Sequence, residues 1–102
     1  MRARPCGGSR LFRFRCHSDG LRYTLTVGYF EDSRVAELFL SSAKAGSQVD
    51  SGAKDAAIIA SIALQYGAPV QALRSAVLRD HLGRAITPIG SALDLLVARR
   101  IE

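Results

Sequence analysis

The sequence predicts an α+β domain in which a three-stranded antiparallel meander is followed by three helices. Three observations predict it. Apolar and polar residues alternate at period 2 in three segments of the first forty residues. After Ser47 the apolar period lengthens to that of a helix. The strand-like segments all precede the helix-like ones, an order that argues against a parallel α/β sheet. The aromatics agree, since most of the seven lie before residue 40.

Residues 1–10 contain Pro5, Gly7, Gly8 and Ser9 and read as a flexible basic arm, leaving 11–102 as a single domain. In Leu11–Cys16, Phe12, Phe14 and Cys16 share one face and Arg13 and Arg15 the other. Ser18, Asp19 and Gly20 make a turn. Leu21 to Val27 alternates again, with Leu21, Tyr23, Leu25 and Val27 on the inner face. A turn at Glu31–Arg34 leads to a third strand, Val35 to Leu40. Ser47 then fits a helix N-cap with Asp50 at N3, and Gly67 fits the C′ position of a helix that ends near Tyr66. The middle of that helix, Ala56 to Leu64, is apolar nearly all round, so it is expected to be buried on the sheet and covered on a second side by the later helices or by a second subunit. Pro69 suits the first turn of a second helix carrying Val70, Leu73 and Val77. Thr87 and Pro88 suit the N-cap and N1 of a third, striped by Ile89, Ala92, Leu93, Leu96 and Val97, with Arg99 and Arg100 at its negative end. Residues 79–86 between them read as a polar loop.

A hydrophobic content of 48% and a charged content of 23% are those of a globular chain. The net charge of +5 is unevenly placed. Six arginines (Arg2, Arg4, Arg10, Arg13, Arg15 and Arg22) stand against Asp19 in the first 22 residues, and the remaining eight bases and eight acids cancel. A basic arm of this kind suits nucleic acid, nucleotides or an acidic protein surface, or serves as a solvated tail. Two cysteines are too few for a secreted disulfide scaffold, and no apolar run follows Met1 or is long enough to span a bilayer. A cytoplasmic protein is expected.

Two sites suggest themselves. Lys44, Gly46 and Ser47 precede the long helix, whose first amides lack intrahelical partners and carry partial positive charge. An anion such as a nucleotide phosphate is the ligand expected there, although the order of a Walker loop is missing. The alternative is a nucleic-acid surface made by Arg2, Arg4, Arg10, Arg13, Arg15 and Arg22, with Thr24, Thr26, Glu37 and Phe39 on the same outer sheet face. That face also suits a dimer seam hiding Val35 and Phe39. Cys6, Cys16, His17 and His81 do not have metal-ligand spacing, and no nucleophile, base and acid fall into a catalytic order. No metal, no cofactor and no catalytic residue is expected.

From about Leu21 to Leu96 the chain resembles the TSCPD domain family. The resemblance rests on Glu37–Leu38–Phe39 leading into Lys44–Ala45–Gly46–Ser47, on Ser61–Ile62–Ala63–Leu64, on Gly67 and Pro69, and on Pro88–Ile89–Gly90. The Thr-Ser-Cys-Pro-Asp string that names the family is absent. Such domains occur as small stand-alone proteins and at the carboxyl end of vitamin B12-dependent (class II) ribonucleotide reductases. The resemblance implies an accessory or interaction domain that works with a nucleotide-metabolising enzyme. The reductase label of the family belongs to a radical-bearing barrel with several reactive cysteines, and this chain has neither the length nor the thiols for it. The apolar central helix adds the expectation of a homodimer.

Overall fold

A computed structural model describes residues 11–18, 21–32, 34–42 and 46–98. The expected basic arm, the turn at Asp19 and Gly20, Lys44, Arg99 and Arg100 lie outside the described residues. The class is α+β. An antiparallel sheet of order β1-β2-β3 is built from β1 (Leu11–Ser18), β2 (Leu21–Tyr29) and β3 (Val35–Ser42). It is followed by α1 (Gln48–Gln65), α2 (Val70–Ala76) and α3 (Pro88–Ala98).

Alternation fixes the inner face of the sheet. Tyr23, Leu25 and Val27 of β2 are buried while Arg22 and Thr24 are exposed. Their partners on β3, Leu40 and Leu38, are buried on the same face. Strict alternation would turn Val35 outward, where the sequence suggested a seam shared with Phe39. The structure differs here. The β2–β3 register shifts between Gly28 and Tyr29, so Gly28 pairs with Glu37 but Tyr29 pairs with Val35. The extra residue returns Val35 to the core, and both Val35 and Ala36 are buried. Ala53, Ala57, Ala60 and Leu64 of α1, Val70 of α2, and Ala92, Leu93 and Leu96 of α3 complete that core.

The helix termini follow their residues. Ser47 caps α1 by accepting the Asp50 amide at 3.1 Å. At the other end Gly67 has φ 103°, the Ala68 amide donates to the Ala63 carbonyl and the Gly67 amide to that of Leu64. These are the two bonds of a Schellman motif. Pro69 stands at the N-cap of α2 rather than inside its first turn. Thr87 accepts the Gly90 amide ahead of α3, and Gly90 lies so close to Ala85 that an added Cβ would meet that side chain at 3.0 Å.

α1 is not buried all round. It runs back along β3, and its alanine-rich side carries the core contacts, while α2 and α3 do not cover the opposite side. Ile58, Ile59, Ile62 and Tyr66 are 53, 68, 40 and 66% exposed. Of the two covers the sequence left open, the later helices do not supply one, so only a second subunit could. Apart from the buried Leu64, the apolar residues of α1 fall into two sets, small ones facing β3 and large ones facing out.

Candidate functional site

The edge of β3 that points away from β2 is capped by side chains of α1. The Leu38 amide donates to Ser61 Oγ at 2.8 Å, and that hydroxyl shares its proton between the carbonyls of Leu38 (3.1 Å) and Ala57 (2.8 Å). Gln65 Nε2 donates to the Ala36 carbonyl at 3.2 Å and to Glu37 Oε1 at 3.4 Å. Asp50 Oδ1 accepts the Ser42 amide at 2.9 Å and the Ser42 hydroxyl at 3.1 Å. Geometry explains the match. From Ala36 to Ser42 a strand advances about 20 Å, and from Asp50 to Gln65 a helix advances about 22 Å, so one helix stripe can serve alternate strand residues. Without these caps an edge strand presents unpaired amides and carbonyls to other chains.

Asp50 ties this edge to the expected anion site. Its carboxylate is buried (1% exposed) and accepts the Gly46 amide at 3.3 Å and Lys54 Nζ at 2.9 Å through Oδ2. The Ser42 amide, then Lys54, hold its carboxyl far below the usual aspartate value against the opposing effect of burial. Of the three residues expected to bind an anion, the structure brings Gly46 and Ser47 together, while Lys44 falls outside the described residues. Gly46 adopts φ 82°, its amide points at Asp50, and the Ser47 hydroxyl caps the helix. The chain thus supplies a negative charge of its own at this helix start. Asp50 was legible as a cap residue, but its reach to Ser42 and Gly46 was not, because that depends on how β3 enters the turn.

The outer face of the sheet is where the alternative site was expected. Register sets Arg13 opposite Thr26 and Thr26 opposite Phe39. The next row is Arg15, Thr24 and Ser41, and His17 pairs with Arg22. Arg22, Thr24, Ser41 and Phe39 are exposed, Phe39 at 49%. Arg2, Arg4 and Arg10 lie outside the described residues.

The third surface is the outward side of α1. Ile58, Ile59 and Ile62 lie toward its C-terminal end and Tyr66 is its C-cap. Ile58 also borders a groove of about 330 Å³ shared with Phe39, Leu40, Ser41, Lys54 and Ala57. The sequence signal for this surface was present, since large aliphatics interleave with alanines along α1. A second cavity, about 240 Å³, lies between Phe30, Arg34, Leu64, Pro69 and Val70. There Arg34 sits 5.0 Å over the Phe30 ring and pairs with Asp32 at 2.7 Å.

Two further polar clusters hold loops. Asp94 on α3 receives Arg74 at 2.8 Å and Arg79 at 2.7 Å, which keeps its carboxyl below the usual range, Arg79 contributing most. Asp80 accepts the amides of Leu82 and Arg84, both at 2.9 Å, and turns the stretch between the bridged Arg79 and Ala85. His81 in that turn is exposed. Among the described residues no group of three or more His, Cys, Asp or Glu is placed to hold a metal, and no helix is long and apolar enough to cross a membrane. Compared with known protein families, with curated proteins and with solved structures, the chain matches none.

Proposed function

We propose that this chain is a non-catalytic interaction domain, and that its main docking surface is the outward side of α1 together with Phe39. One observation carries the reading. Four large apolar side chains, Ile58, Ile59, Ile62 and Tyr66, lie open to solvent along a helix that is otherwise firmly capped and packed, and Phe39 of the neighbouring β3 is exposed as well. A patch of this size at the upper end of what monomers expose marks a protein contact. Among the described residues, Asp50 and Ser61 are engaged on the β3 edge and Asp94 and Asp80 on loops. The resemblance to the carboxyl-terminal domain of class II ribonucleotide reductases supplies the class of enzyme such a module would serve in the cytoplasm, in nucleotide metabolism for DNA synthesis. The test is calorimetric titration of the purified chain into a purified class II reductase. A complex that the Ile59→Asp variant weakens at least tenfold supports the reading, and no heat of binding at about 100 μM of each protein refutes the reductase as partner.

A nucleotide phosphate at Lys44, Gly46 and Ser47 is the narrower form of this proposal. It requires the anion to share the Gly46 amide with Asp50, so phosphate titration should move the Gly46 and Ser47 amide resonances, and resonances that stay fixed refute it.

A second reading rests on the outer sheet face, where the register aligns Arg13 and Arg15 in rows with Phe39 and Ser41. Rows of basic residues ending on an exposed aromatic suit single-stranded nucleic acid. Binding by Arg2, Arg4, Arg10, Arg13, Arg15 and Arg22 would fall steeply with added salt and move the Arg22 resonances.

A further inference from the structure

Resting on the reading of α1 as an interface, we propose that the occupant of its outward side is a second copy of this chain, docked as an antiparallel helix pair about a two-fold axis between Ile59 and Ile62. The outward stripe of α1 is Asp55, Ile59, Ile62 and Tyr66, all exposed and spaced by four, three and four residues. That spacing reads the same in both directions. A two-fold axis through its midpoint sets Ile59 against Ile62 of the other copy, and Asp55 against the other copy's Tyr66. An isologous interface demands this self-complementarity, because each contact must occur twice. The chemistry of the pairs is suitable. The centre is aliphatic, and at each end a phenol hydroxyl can donate to a carboxylate. Spacing of four, three and four is also the seam of helices crossing at a shallow angle.

Size argues for the same occupant. Phe39, Ile58, Ile59, Ile62 and Tyr66 together leave exposed about 500 Å² of apolar surface, estimated from the area that such side chains bury. A stable dimer needs about 800 Å² per partner. Ser51, Gly52 and Asp55 on the exposed turns before the patch, and Ala63 beside it, extend the contact toward that figure. Beyond Phe39, the outer sheet face stays open in such a dimer.

Sedimentation of the full chain from about 1 to 100 μM is the measurement. The expected mass is twice the 11.0 kDa of one chain, falling to one chain for Ile59→Asp with the circular dichroism unchanged, because Ile59 is 68% exposed. The helix register is read separately. Tyr66→Asp sets two carboxylates against each other at both ends and should weaken the dimer at least tenfold, and adding Asp55→Lys to the same chain should restore it. A monomer at 100 μM overturns the proposal, as does a dimer that Ile59→Asp leaves intact or that the double variant fails to restore. A monomeric chain that still binds a reductase through Ile59 would overturn the dimer and keep the interaction reading. A monomer indifferent to Ile59 in every binding assay would remove both.

Discussion

Replacing Ser61 with alanine removes one hydroxyl from the interior and tests whether α1 holds β3 by hydrogen bonds or by packing alone. Ser61 is 8% exposed and Leu38 is fully buried, so no water replaces the hydroxyl at the Leu38 amide. The variant leaves that amide without its 2.8 Å acceptor and takes a donor from the Leu38 and Ala57 carbonyls. The Ala57 carbonyl keeps its helical bond, so the loss concentrates on the strand edge. An unsatisfied buried amide destabilises by roughly 1–3 kcal/mol. The higher helix propensity of alanine returns about 0.5 kcal/mol. The net expectation is a loss of about 1.5 kcal/mol, or about 6–12 °C in melting temperature for a domain of this size. Urea denaturation gives the free energy, and amide exchange gives the location. Leu38 exchange should accelerate more than that of Leu25 or Val27, whose strand is paired on both sides. A stability change within 0.5 kcal/mol of zero, or acceleration spread evenly over the sheet, would refute the edge-capping argument.

Two other perturbations follow from the same geometry. The Asp50 carboxyl is depressed in the folded state, so its stabilising contribution is complete above the unfolded aspartate value and is lost as pH falls through the folded one. The urea midpoint should hold from pH 7 to about 5 and decline below about 4, and Asp50→Asn should start lower at pH 7 and decline less, because the titrating group is gone. A wild-type midpoint that is flat down to pH 2.5 would contradict this. Gly67→Ala should destabilise by about 1 kcal/mol through the φ of 103° alone, since no atom lies within 4 Å of the added Cβ. A neutral result would mean that the chain past α1 relaxes out of its Schellman turn.

Local signals made most of the framework legible. Alternation in Tyr23, Leu25 and Val27, the Ser47 cap, Gly67 and the Thr87–Pro88 pair each act within a few residues, so the sequence states them directly. What it did not state depends on positions far apart in the chain. The inward turn of Val35 follows from a register shift against Tyr29, and nothing within Val35 to Leu40 marks it. Arg74, Arg79 and Asp94 meet only once α2 and α3 are docked. The candidate anion site shows the same limit. Gly46 and Ser47 were readable as a helix start, but the carboxylate that engages the Gly46 amide comes from Asp50, one turn into the helix, whose aim is set by Ser42 at the end of β3.

The apolar run in α1 misleads for a physical reason that also explains its surface. Seen as hydropathy, Ala56 to Leu64 is uniform. Seen as volume, it is divided. Ala53, Ala57 and Ala60 are buried and small, and they let the helix axis approach β3 closely enough for Ser61 and Gln65 to reach backbone atoms. Isoleucine at those positions would hold the helix away and leave the strand edge unpaired. Ile58, Ile59 and Ile62 stand where size meets no constraint within the chain. Alanine or a charged residue there would fold equally well and keep the helix soluble, since neither contributes to the core. Their bulk is what the proposed helix pairing would use. The buried side of α1 encodes an intramolecular contact that needs small side chains and a hydroxyl, and the proposal assigns the outward side an intermolecular one that needs bulk.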